Sequence, residues 1–148
     1  MTIDERVELY KKKFHDCRAI DPVRELICIE KFYDKEGLEA LEKIRELNTK
    51  LTDLYMVSLP VITVWVRDSN YVQATEEIYL VEPLLEDFLH QFRHHLQNIE
   101  RKYERRGLTA EGNNALSWKI PYENTIYRMY GEDDAIAWSR FIIELATK

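Results

Sequence analysis

Apolar residues recur along this chain with two different periods, and the change from one to the other divides it. Over residues 3–16, Ile3, Val7, Tyr10 and Phe14 stand three or four apart with charges between them, the pattern of an amphipathic helix. Asp21-Pro22 is a helix-start signal, with Asp as N-cap and Pro at the first helical position. The VRELICIEKFY that follows is apolar enough for a buried helix, although its β-branched residues keep a strand over 26–33 open. From Asp34 to Leu51, the spacing of Leu38, Leu41, Ile44, Leu47 and Leu51 predicts another helix. Near Tyr55 the period changes. LPVITVWVRD is rich in β-branched and aromatic residues and ends in the turn-forming Asp68-Ser69-Asn70, which predicts a strand over 61–67. Tyr71 to Val81 reads as a second extended segment, strongest at EEIYLV before Pro83. The sheet is expected to be small and mostly antiparallel, with a third strand if residues 26–33 are extended.

The helical period returns at Pro83. Glu82, Glu86 and Asp87 put negative charge near the first turn and Gly107 supplies a terminator, so a helix is predicted over 83–106. Gly, Asn and Pro scattered through 107–130 predict a loop region. A last helix over 131–146 carries an apolar stripe of Ala135, Trp138, Phe141, Ile142 and Leu145, with an acidic cluster at its start. The expected fold is a single α+β domain over 1–148: a helical part (1–54), a small sheet (55–82), a helix (83–106), a loop region (107–130) and a final helix (131–146).

Composition narrows the classes. A chain of 148 residues, 45% hydrophobic and 32% charged with four Gly and four Pro, is long enough and apolar enough to bury its own core. The net charge of -6 argues against a phosphate-backbone binder, so no nucleic-acid partner is expected. The longest apolar stretch, Val57 to Val66, is broken by Ser58, Pro60 and Thr63, so no membrane partner is expected either. MTIDERVELYKKKF has no apolar leader core, and Cys17 and Cys28 form no disulfide or zinc-ribbon spacing; the expected location is the cytoplasm.

The candidate chemistry lies on the 83–106 helix. Three of the four histidines fall within residues 90–95, and His90 and His94 are four apart, which puts both imidazoles on one side of a helix about one turn apart. Leu85, Phe88, Leu89, Phe92, Leu96, Ile99 and Tyr103 form the core stripe, centred roughly 190° from the midpoint of that pair at about 100° per residue. The pair is therefore not part of the apolar stripe. The plain alternative is a solvated face shared with Gln97 and Arg101. Random placement of four histidines gives some pair at this spacing in roughly one chain in twelve, so spacing alone is a weak signal. The HDC at 15–17 is weaker still, because neighbouring helical residues point apart.

The wider stretch IYLVEPLLEDFLHQFRHH, an extended segment running into an apolar helix that holds the histidines, resembles the active-site region of gluzincin zinc metallopeptidases, the minigluzincins among them. The resemblance covers about residues 55–146 and implies a zincin-like domain whose last sheet strand lies beside a peptide or protein substrate. It implies Zn²⁺ held by His90, His94 and a Glu from a later helix in an E-x-x-A setting; the match is Glu132, with Ala135 three residues on and Asp134 as the alternative ligand. N-terminal capping and dipole compensation is the competing role for this acidic cluster. In the family zinc polarises the scissile carbonyl and acidifies water, while the Glu after the first histidine takes the proton. That position is Gln91 here, and an amide cannot accept the proton at neutral pH. Hydrolysis by this chain is expected to be absent or strongly impaired, whether it is a natural pseudo-enzyme or an inactivated form of a peptidase. The family commonly has Asp or Asn four residues after the glutamate, orienting a histidine; Ile136 stands there, so that support is missing or comes from elsewhere. Tyr130, like Tyr122, Tyr127 and Arg128, is a candidate oxyanion donor, with simple packing as its alternative. Two other readings stay open: a non-catalytic helical interaction or regulatory protein with incidental histidines, and a structural zinc site closed by His95.

Overall fold

The chain begins with a capped helix. In the computed structural model, which describes residues 2–14, 17–105 and 127–148, Thr2 and Glu5 form a reciprocal capping box on α1 (Ile3–Leu9): the Thr2 hydroxyl accepts from the Glu5 amide at 3.1 Å and the Glu5 carboxylate from the Thr2 amide at 3.3 Å. A π-helical turn, Tyr10–Phe14, continues it. The helix α2 (Ile20–Arg24) starts one residue before Asp21, so Pro22 sits at its third position and not its first. It runs on through a second π-helical stretch, Glu25–Ile29, and a 3-10 turn at Phe32–Asp34. Residues 26–33 are thus not a strand. The long α3 (Gly37–Tyr55) carries the expected stripe from Leu41 to Leu51, but Leu38 in its first turn is exposed. It ends at Met56, whose φ of 54° turns the chain out of the helix.

The sheet has three short strands: β1 (Val61–Val64), β2 (Asn70–Val72) and β3 (Glu77–Leu80), in the order β1-β3-β2. The segment read as one extended stretch from Tyr71 to Val81 is two strands joined through Glu76, which has a φ of 54°. The sheet is mixed and not mostly antiparallel: β2 runs antiparallel to β3, with Tyr71 opposite Ile78, whereas β1 runs parallel to it, with Ile62 opposite Ile78. The chain leaves β1 past Trp65 (φ 60°), returns along the far edge as β2, and only then fills the middle with β3. Ile62, Ile78 and Leu80 are the buried residues of this sheet.

The remaining helices are α4 (Leu85–Arg105) and α5 (Tyr127–Ala146), which pack along each other; α1 and α2 lie against α5, and β3 and β2 against α4. α5 starts four residues earlier than the sequence pattern indicates, so 127–130 belong to a helix and not to a loop. Phe88, Phe92, Tyr55, Trp138 and Phe141 are fully buried between these elements, and Tyr55 meets both Phe92 and Trp138 edge-on or tilted, with centroids 6.1 and 6.5 Å away. Each such side chain contributes about 1.5–3 kcal/mol through burial. Among the described residues, no helix is long and apolar enough to cross a membrane.

Candidate metal centre

α4 is an unusual helix, because its polar side is covered as well as its apolar stripe. Gln91, Arg93, His95, Gln97, Asn98 and Glu100 are all buried. The face that His90 and His94 share with Gln97 and Arg101 is therefore only partly solvated: Gln97 is buried and the other three are half-buried. α5 lies over one flank and the sheet over another, and Arg93, His95, Gln97 and Asn98 are each held by hydrogen bonds of their own.

On the α5 flank, His90 and His94 converge on Glu132. Glu132 Oε1 lies 2.7 Å from His90 Nε2, and Glu132 Oε2 lies 3.0 Å from His94 Nε2. The two Nε2 atoms are 3.2 Å apart. One ligand atom from each residue fits within a span of 4.8 Å, so this group can hold a metal ion. Because α5 begins at Tyr127, Glu132 is in its second turn, and the capping role loses its geometric basis.

The spacing and chemistry of these atoms fit a cation. A tetrahedral ion with bonds of about 2.0–2.1 Å sets its ligand atoms about 3.3–3.4 Å apart, wider than all three separations present and most so for His90 and Glu132 at 2.7 Å. The His94 Nδ1 atom is 2.9 Å from Gln97 Oε1 and its Nε2 atom is 3.0 Å from Glu132 Oε2, so both ring nitrogens face oxygens that only accept. A proton or a cation must then lie between Nε2 and the carboxylate. The two histidines also hold the Glu132 carboxyl low, at about 2, with the His94 hydrogen bond the largest cause, while burial foremost and then neighbouring His94 hold His90 below the ordinary imidazole range.

A cavity of about 520 Å³ opens beside these residues, lined on one side by His90, Gln91, His94 and Glu132 and on the other by Ser69, Asn70, Tyr71 and Gln73 around β2. Gln91 is where the resemblance puts the base; it is buried, and among the described residues its Oε1 has no hydrogen-bond partner. The strand beside the cavity is β2, at the sheet edge, and not the last strand, β3, which is central.

Asp134, the alternative ligand, is elsewhere. It is fully buried and takes Arg93 Nε and Gln97 Nε2 on one oxygen, both at 2.8 Å, and Arg6 Nη1 at 3.2 Å on the other. Complete burial pushes its carboxyl upward. The guanidinium groups of Arg6 and Arg93, which keep their protons and bond it directly, oppose that and favour the ionised form. We therefore treat it as a carboxylate. His95 does not close the site either: its Nε2–H donates to the Ser58 carbonyl at 2.7 Å and its Nδ1 accepts from the Tyr71 hydroxyl at 2.6 Å, which leaves no lone pair for a metal. Tyr71 also accepts from Asn98 at 2.9 Å, so the phenol that lines the cavity is committed. Tyr122 and His15 lie outside the described residues, as do the side chains of Tyr127, Arg128 and Tyr130; Cys17 is exposed. Ile136 offers no hydrogen bond to a histidine. Sequence reasoning overlooked Gln97, Tyr71 and the Arg6–Asp134–Arg93 network; only Gln97, three residues beyond His94 on the same helix face, had a local signal.

No protein-family model matches the chain, and no curated protein or solved structure matches it as a relative.

Proposed function

We propose that this protein is a zinc-binding domain of metallopeptidase architecture in which Gln91, standing where peptide hydrolysis needs a carboxylate, makes the chain inactive or strongly impaired. The observation that carries the metal reading is the convergence of His90, His94 and Glu132, three ligand groups from two helices with both imidazole Nε2 atoms facing one carboxylate. Two imidazoles and a carboxylate suit Zn²⁺. When bound, Zn²⁺ supplies Lewis-acid polarisation of a carbonyl and makes water more acidic. The chain's own residues do the rest. Among the described residues β2 is paired on one side only, and its free edge, with Ser69, Asn70 and Gln73 on the cavity wall, can align an extended peptide by backbone hydrogen bonds. Gln91 lines the same cavity, and its amide can orient a water or a peptide group by hydrogen bonding, but it takes no proton.

A carboxylate in place of that amide has nearly the same shape. We therefore expect Gln91→Glu, loaded with zinc and assayed on a mixture of peptides, to raise kcat/KM by about 10²–10⁴-fold, the usual contribution of a general base. Chelation should abolish the gain. If a zinc-loaded Gln91→Glu protein cleaves no peptide faster than the parent chain, the peptidase architecture is wrong and a non-catalytic role for the centre takes its place.

A further inference from the structure

We infer that Gln97 is the positioning residue of this centre: it fixes which nitrogen of His94 faces the metal and ties the two ligand-bearing helices together. The inference rests on the metal reading and adds what holds the ligands in place. The amide of Gln97 has only one possible orientation. Its Nε2 faces two groups that only accept, the Gly131 carbonyl at 2.9 Å and Asp134 Oδ2 at 2.8 Å, so that end must be the NH₂. The Oε1 end therefore faces His94 Nδ1, and because an amide oxygen only accepts, the imidazole proton is placed on Nδ1. Nε2 is then the nitrogen that faces Glu132 and His90, and the one a metal would take.

The amide cannot turn away. Gln97 is buried, and its Asp134 partner is itself gripped by Arg6 and Arg93. Gly131 matters for the same reason: a Cβ there would lie 3.0 Å from Gln97 Oε1, so only a residue without a side chain lets the amide lie against α5 undisturbed. Gly131 immediately precedes Glu132. One side chain from α4 thus orients a ligand on its own helix and holds the backbone next to the ligand on the other.

The test has a part that needs no variant. In the zinc-loaded, ¹⁵N-labelled full chain, two-bond ¹H–¹⁵N spectra should show His94 with its proton on Nδ1 and the metal on Nε2; a metal on Nδ1 overturns the inference. Zinc affinity is then measured for the parent chain, Gln97→Leu and Gly131→Ala, with Co²⁺ absorption as a report on ligand geometry. Gln97→Leu should bind zinc about 10–100-fold more weakly, Gly131→Ala should fall between it and the parent, and both should change the Co²⁺ spectrum. Parent-like affinity and spectra in both variants would overturn the inference while leaving the metal reading intact. A parent chain that binds no zinc removes the reading itself. Should Gln97→Leu fail to fold, the nitrogen that binds zinc in the unsubstituted chain decides.

Discussion

Glu132 and Asp134 are two residues apart on one helix and have opposite fates. Glu132 has half its side chain exposed at the cavity and is kept ionised by His94 and His90, whereas Asp134 is sealed beneath it as an acid shared by Arg6, Arg93 and Gln97. The first arrangement is suited to binding, the second to holding the structure together. Removing Asp134 would leave two guanidinium groups buried with their shared partner gone. Asp134→Ala should therefore lower the free energy of unfolding by about 3–5 kcal/mol, read from urea titrations followed by circular dichroism. A loss below about 1 kcal/mol, the level of an exposed pair, would mean the network does not bear on stability.

α4 is the element on which both networks meet, and its second polar side links it to the sheet. His95 sits between the Ser58 carbonyl and Tyr71 of β2, Glu76 raises its affinity for a proton and Lys102 opposes that, but burial dominates and holds the imidazole below its ordinary value of 6.5. A histidine whose folded pKa is depressed stabilises the fold at pH above the unfolded value and loses that contribution as the pH falls below it. The metal-free protein should accordingly become easier to unfold in urea as the pH drops from about 7.5 toward 5.5. His90, also depressed by burial, adds the same sign, so the slope should shrink but persist in His90→Ala. A flat profile in that variant contradicts the account of His95. Much of α4 was legible in the sequence, because its apolar stripe and the histidine pair are local features of a 3.6-residue period. Its covered polar side was not, since the residues that satisfy Arg93, Gln97 and His95 come from Asp134, Ser58 and Tyr71, far away in the chain. The sheet was misjudged for a related reason: nothing in the alternation of EEIYLV says that a strand formed later will lie in the middle.

At the scale of the molecule, the fold closes a long loop to make one centre. Glu132 reaches His94 across 38 positions, and Arg6 reaches Asp134 across 128, so α1 is anchored to the underside of the site; among the described residues none from α1, α2 or α3 lines the cavity. In its described residues the helical first third supports the site and does not line it. A metal that binds the folded chain alone should also stabilise it, by about 2.7 kcal/mol when free zinc is 100 times its dissociation constant. The most direct measurement is a calorimetric zinc titration of chelator-treated protein beside His94→Ala and Glu132→Gln. The account predicts one zinc ion per parent chain and a loss of at least about tenfold in affinity in each variant. A parent chain that binds no zinc, or variants that bind as the parent does, would contradict it.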